Sequence, residues 1–183
     1  MQFLNTIQAM QKLGTNVVTE ARSNLKKEKK QTRENTLYND MNYVVTADNT
    51  SVDLEWRFGR AADYWDFVNE GVKGSGGFKG SGKMRGQGSP FSFKKKNIAK
   101  GVVLKWIANK PLKLRNAKGQ FKEKTQANLK SAAFLIGRAI AQRGLTRTLF
   151  FDNAYNKEVA KAENKITEAF AEDLELQIET LLK

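Results

Sequence analysis

Between Gly71 and Lys122 the chain carries fourteen lysines and arginines and not one aspartate or glutamate. A 52-residue segment of that kind cannot neutralise itself, so it has to face a polyanion, an acidic protein surface or water. The flanking chain is different. Residues 1–70 hold nine basic and ten acidic groups, residues 123–151 add four positive charges, and residues 152–183 return four negative ones. The net charge of +13 therefore belongs to the middle of the chain. Charge alone supplies salt-sensitive, sequence-blind affinity for phosphates. Lys94, Lys95, Lys96, Lys100, Lys113, Arg115 and Lys118 are the candidate polyanion contacts. Neither zinc-finger ligands nor a ribonucleoprotein aromatic pair accompanies them, so no base-reading module is expected.

The same region is rich in glycine, with eight in the twenty residues from Gly71 to Pro90. Glycine sets no preferred conformation and the lysines repel one another, so a flexible basic loop is expected over 71–90. It is not a phosphate-binding loop of the Walker type: Gly77 to Lys83 is followed by Met84 where serine or threonine is required.

What the chain lacks narrows its chemistry. With no cysteine and no histidine, thiol nucleophiles, imidazole bases and zinc sites built on either residue are excluded. The longest uninterrupted apolar run, Ala132 to Ile136, is far short of a membrane span. The first residues show no basic flank, apolar block and cleavage site, as expected of a chain made and kept in the cytoplasm.

Hydrophobic periodicity sets the elements. Phe3, Ile7, Met10, Leu13, Val17, Ala21 and Leu25 recur at helical steps and predict a helix over 3–28. Residues 38–47 and 51–58 read as a β-hairpin around Asp48-Asn49-Thr50, with Val44/Thr46 and Val52/Leu54/Trp56 alternating. Further helices are expected over 97–109, with Ile98, Val102 and Trp106 inward, and from 124 or 125 to 143, closed by Gly144. Residues 145–151 read as extended. A last helix over 154–182 presents Val159, Ala162, Ile166, Phe170, Leu174, Ile178 and Leu181 to the core. The sum is an α+β fold: a small antiparallel sheet with four helices, long amphipathic helices at both ends and a long Gly/Lys-rich loop. The expected division is a helix or arm over 1–33 and a core domain over 34–183.

Two clusters are candidate sites. Asp53, Glu55, Asp63, Asp66 and Glu70 bring five carboxylates close in sequence, the raw material of a metal-dependent nuclease. Asp53 and Glu55 share one face of a strand, but Leu54 and Trp56 are its natural core face, which favours exposed ion pairs with Arg57 and Arg60. Tyr64, Trp65 and Phe67 form the densest aromatic cluster, which serves either as a core plug or as a subunit contact.

The run from Tyr64 to Gly74, Tyr-Trp-Asp-Phe-Val-Asn-Glu-Gly-Val-Lys-Gly, resembles the Tyr-x-x-Phe/Tyr-Val-x-x-Gly core of tailed-phage head–tail joining and tail-completion proteins. Ser89 to Phe93, the Trp106 helix, Phe134 to Ile140 and Thr148 to Phe151 follow in that family's order. Phe150-Phe151-Asp152-Asn153-Ala154 resembles its Pro-Phe-x-x-Ala without the proline. The resemblance implies a small non-enzymatic α+β subunit of the virion neck, without cofactor or membrane contact. It implies a cyclic homo-oligomer that meets portal and neighbouring neck or tail proteins around the DNA channel. The assembly residues it points to are Tyr64, Trp65, Phe67, Gly71, Lys73, Gly74, Lys79, Lys83, Arg85 and Phe91.

Overall fold

The computed structural model describes residues 3–27, 36–79, 82–108, 113–115 and 118–182. The fold is α+β, with six α-helical segments and two two-stranded antiparallel sheets among these residues. The chain divides into two compact units, Met1–Asn69 with Thr148–Lys183, and Glu70–Arg147. The boundary expected after residue 33 falls outside the described residues. The division into units separates the basic middle of the chain from the rest.

In the first unit, helix α1 (Leu4–Lys27) lies antiparallel along the long helix α6 (Phe150–Leu181). Three contacts fix that register. Asp173 of α6 accepts from the backbone N–H groups of Asn5 and Thr6, at 3.1 and 2.8 Å, and from the Thr6 hydroxyl at 2.8 Å. Lys157 pairs with Glu20 at 2.8 Å, and the Asn24 amide donates to the Phe150 carbonyl at 3.1 Å. Buried Leu13, Val17, Val18, Ala21 and Leu25 of α1 meet Phe150, Phe151 and Ala154. Beyond Asp173, Leu176 and Ile178 are more than half exposed, and Ile178 is not the core residue expected. Phe170, also expected inward, stacks on Phe3 at 5.7 Å yet stays 40 % exposed.

A short helix α2 (Thr36–Asp40), where the sequence pattern placed the start of a strand, leads into β1 (Asn42–Ala47) and β2 (Val52–Arg57). The turn is made by Asp48, whose side chain accepts from the N–H groups of Thr50 and Ser51, both at 2.7 Å. Pairing Tyr43↔Trp56 and Val45↔Leu54 sets the inner face. Val44 and Thr46, alternating with these, lie opposite Glu55 and Asp53. After a 3₁₀ turn, helix α3 (Trp65–Glu70) brings in the aromatic cluster. Trp65 stacks on Phe58 at 4.1 Å, and Phe151 meets the edges of both rings.

Residues 145–151, expected to be extended, turn instead at Leu149, whose φ of +49° is left-handed. Buried Asn69 holds that turn. Its carbonyl accepts from Thr148 and Leu149, and its side-chain oxygen accepts from Phe151 N–H at 3.1 Å, satisfying a free donor of the first turn of α6.

The second unit is built on α4 (Lys100–Ala108) and α5 (Gln126–Arg143). Val103 and Ile107 pack on Ala133, with Ile98, Leu129 and Ile136 at the margin. Val102 and Trp106, expected inward, are 65 % and 48 % exposed. The α4 sequence is apolar nearly all round, so its pattern did not choose the face. Thr125 caps α5 by accepting from Asn128 N–H, and Gly144 closes it with its N–H on the Ile140 carbonyl.

The glycine-rich segment winds around the carboxy-terminal end of α5. Strand β3 (Val72–Lys73) pairs with β4 (Gly144–Leu145), and Lys73 also bonds Phe91 and Phe93 through its backbone. The carbonyls of Ala141, Gln142 and Arg143, which have no acceptor role inside the helix, accept from Ser75, Gly76 and Arg85. Glycine serves close approach here. A Cβ on Gly74 would stand 2.2 Å from the Gln142 carbonyl oxygen, and one on Gly86, at φ +66°, would stand 2.3 Å from that of Val72. The described residues of the long Gly/Lys-rich loop thus cap a helix.

Candidate polyanion interface

Charge follows the division into units. Residues 70–147 hold nineteen lysines and arginines and two carboxylates, a net +17; the remaining chain holds thirteen and seventeen, a net −4. Of the two carboxylates, Glu70 is taken by Arg147 at 2.6 Å. Glu123 is then the one acid of the unit left for eighteen other cations. Neutralisation inside this unit is arithmetically impossible.

The cations are not spread evenly over its surface. Lys130, Phe134 and Arg138 recur every four residues on α5 and share an outward face with Leu135, which is 62 % exposed. The loop before α4 adds Lys96, α4 itself adds Lys100, and the glycine-rich segment adds Lys79. A cavity of about 500 Å³ opens among Lys79, Lys96, Phe134 and Arg138. A second, of about 410 Å³, opens beside it among Lys100, Lys130, Phe134 and Leu135. No carboxylate lines either one. The Lys100 ammonium lies 5.2 Å from the centre of the Phe134 ring, and the Arg143 guanidinium 5.6 Å from that of Phe78.

The other expected contacts fall in two places. Lys94 and Lys95 are exposed on the turn ahead of α4. Lys113, Arg115 and Lys118 belong to a small hairpin in which Arg115 bridges to Phe121 and donates to the Gly119 carbonyl at 2.8 Å. Phe121, 61 % exposed, is flanked there by Lys113 at 5.5 Å and Arg115 at 4.2 Å. Of the residues singled out for assembly, Gly71, Lys73, Gly74, Arg85 and Phe91 sit in the cap around α5, and Lys83 accepts there from Arg143 through its carbonyl. Tyr64 and Trp65 pack on the core of the first unit, whereas Phe67 is 40 % exposed. Trp65 also lines an open cavity of about 710 Å³ with Trp56, Phe58 and Phe151.

The acidic cluster does not converge. Asp53 and Glu55 point from the exposed face of β2, and Glu55 is bonded to Arg57 at 2.9 Å, which holds its carboxyl below the ordinary range. Asp40 is bonded twice by Arg60 and is lowered in the same way. Among the described residues no three acidic groups come together as metal ligands would.

Comparison with protein-family models, curated proteins and solved structures finds no match. Lys130, Phe134, Leu135 and Arg138 were not among the candidate polyanion contacts, although Phe134 to Ile140 carried part of the family resemblance. The four-residue spacing of Lys130, Phe134 and Arg138 was the available signal, on the side of α5 opposite its core stripe.

Proposed function

We propose that this chain is a structural subunit of a tailed-phage neck, located in the virion, whose basic unit faces the DNA that passes through a ring of copies. The motif order from Tyr64 to Ala154 supports the family reading. The observation that carries the DNA-facing part is the confinement of a +17 charge to one compact unit beside a chain remainder of −4. Such a distribution costs folding energy through self-repulsion, and contact with a polyanion removes that cost. Lys94→Glu, Lys95→Glu and Lys96→Glu together should leave the fold intact and keep the chain out of purified particles, read by quantitative mass spectrometry. Normal incorporation and normal genome packaging would reduce the segment to solubilising charge.

The same charge distribution favours a second reading, a free nucleic-acid-binding protein without ring assembly. Light scattering at low and high salt separates the two. A neck subunit assembles with itself, whereas a free binder stays monomeric and gains mass only with nucleic acid.

A further inference from the structure

We propose that the outward face of α5 is the nucleic-acid contact itself, with Lys79, Lys96 and Arg138 as a phosphate clamp and Phe134 as its apolar centre; this rests on the polyanion reading above. The basic unit offers cations in many places, but only some are arranged for a shared ligand. At the hairpin, the Arg115 guanidinium already donates to the Gly119 carbonyl at 2.8 Å. At the α5 face, two neighbouring cavities share Phe134 as a common wall, with Lys79, Lys96 and Arg138 around one and Lys100 and Lys130 around the other. Five cations drawn from the glycine-rich segment, the loop before α4, α4 and α5 therefore converge on one exposed ring. Both cavities are open to solvent and neither is lined by an acid, so an extended polyanion can reach all five cations.

The chemistry recognised is a chain of phosphodiesters. Successive phosphates repeat along the strand and need several separated cations, not one deep pocket. An exposed aromatic among those cations adds a surface on which an unpaired base can stack. Phe134 is 37 % exposed and supplies it, with Leu135 alongside. A single strand would use both features, and a duplex the cations alone. The position of Lys79 gives the helix-capping segment a second role, since the backbone that closes α5 also carries a clamp residue over its face.

The test uses the full chain with a labelled single strand, the matching duplex and poly-glutamate, each titrated between low and moderate salt. The variant K79Q/K96Q/R138Q removes three exposed charges, and K105Q/K122Q/K124Q removes the same number elsewhere in the unit. Amide exchange and circular dichroism verify that both are folded. The clamp variant should lose ~10-fold or more in nucleic-acid affinity, with a shallower salt slope by ~2–3, while the control loses ~3-fold or less. Equal losses in the two variants would overturn the located site and leave the polyanion reading standing. Absence of salt-dependent binding by the unaltered chain would overturn that reading and the site with it. A loss for poly-glutamate as large as for nucleic acid would assign the face to an acidic protein and overturn the phosphate clamp. With F134A, a further loss of ~5-fold or more confined to the single strand supports base stacking, and equal small losses support the clamp with duplex phosphates as its ligand.

Discussion

The two units solve the problem of staying folded by different means. The first buries a continuous cluster that includes Leu13, Val17, Leu25, Met41, Phe58, Phe150 and Phe151 between two long helices and a hairpin. The core cluster of the second is smaller among the described residues, with Val103, Ile107 and Ala133 buried at its centre. It compensates with backbone: the glycine-rich segment donates to the last carbonyls of α5 and pairs β3 with β4. A net +17 opposes its compaction, whereas the first unit stands at −4. Apolar burial holds the first unit and hydrogen-bonded backbone the second, so the second should be the one whose stability depends on salt and on a bound polyanion.

The largest test of this comparison uses one core residue from each unit. Phe151 touches the rings of Trp56, Phe58, Trp65 and Tyr155, and Phe151→Ala should cost about 3–5 kcal/mol, exposing α1 and α6 together. Ile107→Ala should cost about 2–4 kcal/mol and raise amide exchange in α4 and α5 while α1 and α6 stay protected. Uniform loss of protection in both variants would break the comparison, since the molecule would then open as one cooperative body.

A sharper test replaces glycine where backbone does the holding. Gly86→Ala forces a Cβ against the Val72 carbonyl at a positive φ, and should cost about 2–3 kcal/mol, seen as faster exchange at Ser75, Gly76 and Arg85. Gly101→Ala on α4 is the matched control: no atom lies within 4 Å of the added carbon, and the change should stabilise by up to about 1 kcal/mol. If both glycines tolerated alanine equally, the cap around α5 would not be a fixed part of the unit.

In the first unit the corresponding polar fastening is Asp173. Burial opposes its ionisation, but the N–H and hydroxyl of Thr6 and the N–H of Asn5 outweigh this and hold its carboxyl below the ordinary 3.8. A carboxyl lowered in the folded state contributes stability that is present above that ordinary value and is lost as pH falls through the folded one. Asp173→Asn should therefore cost about 1 kcal/mol at neutral pH and flatten the acid limb of a pH–stability curve. An unchanged acid limb would mean that Asp173 does not fasten the α1–α6 register and that the Glu20–Lys157 pair, the Asn24 bond and apolar contact hold it.

What could be read from the sequence follows the range of the forces involved. Helices α1, α5 and α6 and the β1–β2 hairpin were legible because their signals are local: helical spacing, the Asp48 turn and Gly144 after Arg143. The start of α6 was not, because its cap comes from Asn69, 82 residues away in sequence, and Leu149 carries no capping side chain. The face of α4 was not, because Val102, Val103, Trp106 and Ile107 offer two apolar stripes and tertiary packing chose between them. The basic middle segment was legible as charge but not as architecture. Whether glycine means looseness or close approach depends on what lies opposite, and here that is the end of α5. The candidate contact face was half visible, in Lys79, Lys96 and Lys100, and was completed only when α5 placed Lys130, Phe134 and Arg138 beside them.

The smallest expected effect concerns the acidic side of the comparison. If the first unit is a framework and not a reaction centre, its exposed carboxylates should be dispensable. Asp53 and Glu55 stand on the outer face of β2, and the Glu55–Arg57 pair has both side chains more than half exposed, so solvent screens it. Asp53→Ala with Glu55→Ala should leave the fold unchanged and shift Tm by less than about 2 °C. The double variant should bind nucleic acid as tightly as the unaltered chain, or slightly more tightly because two negative charges are gone. The same preparation answers a harder question. Incubated with supercoiled DNA and magnesium or manganese, the unaltered chain should leave the substrate intact. Cleavage that survives repurification and vanishes in the double variant would make β2 a catalytic edge and the basic unit its substrate clamp, reversing the roles assigned to the two regions.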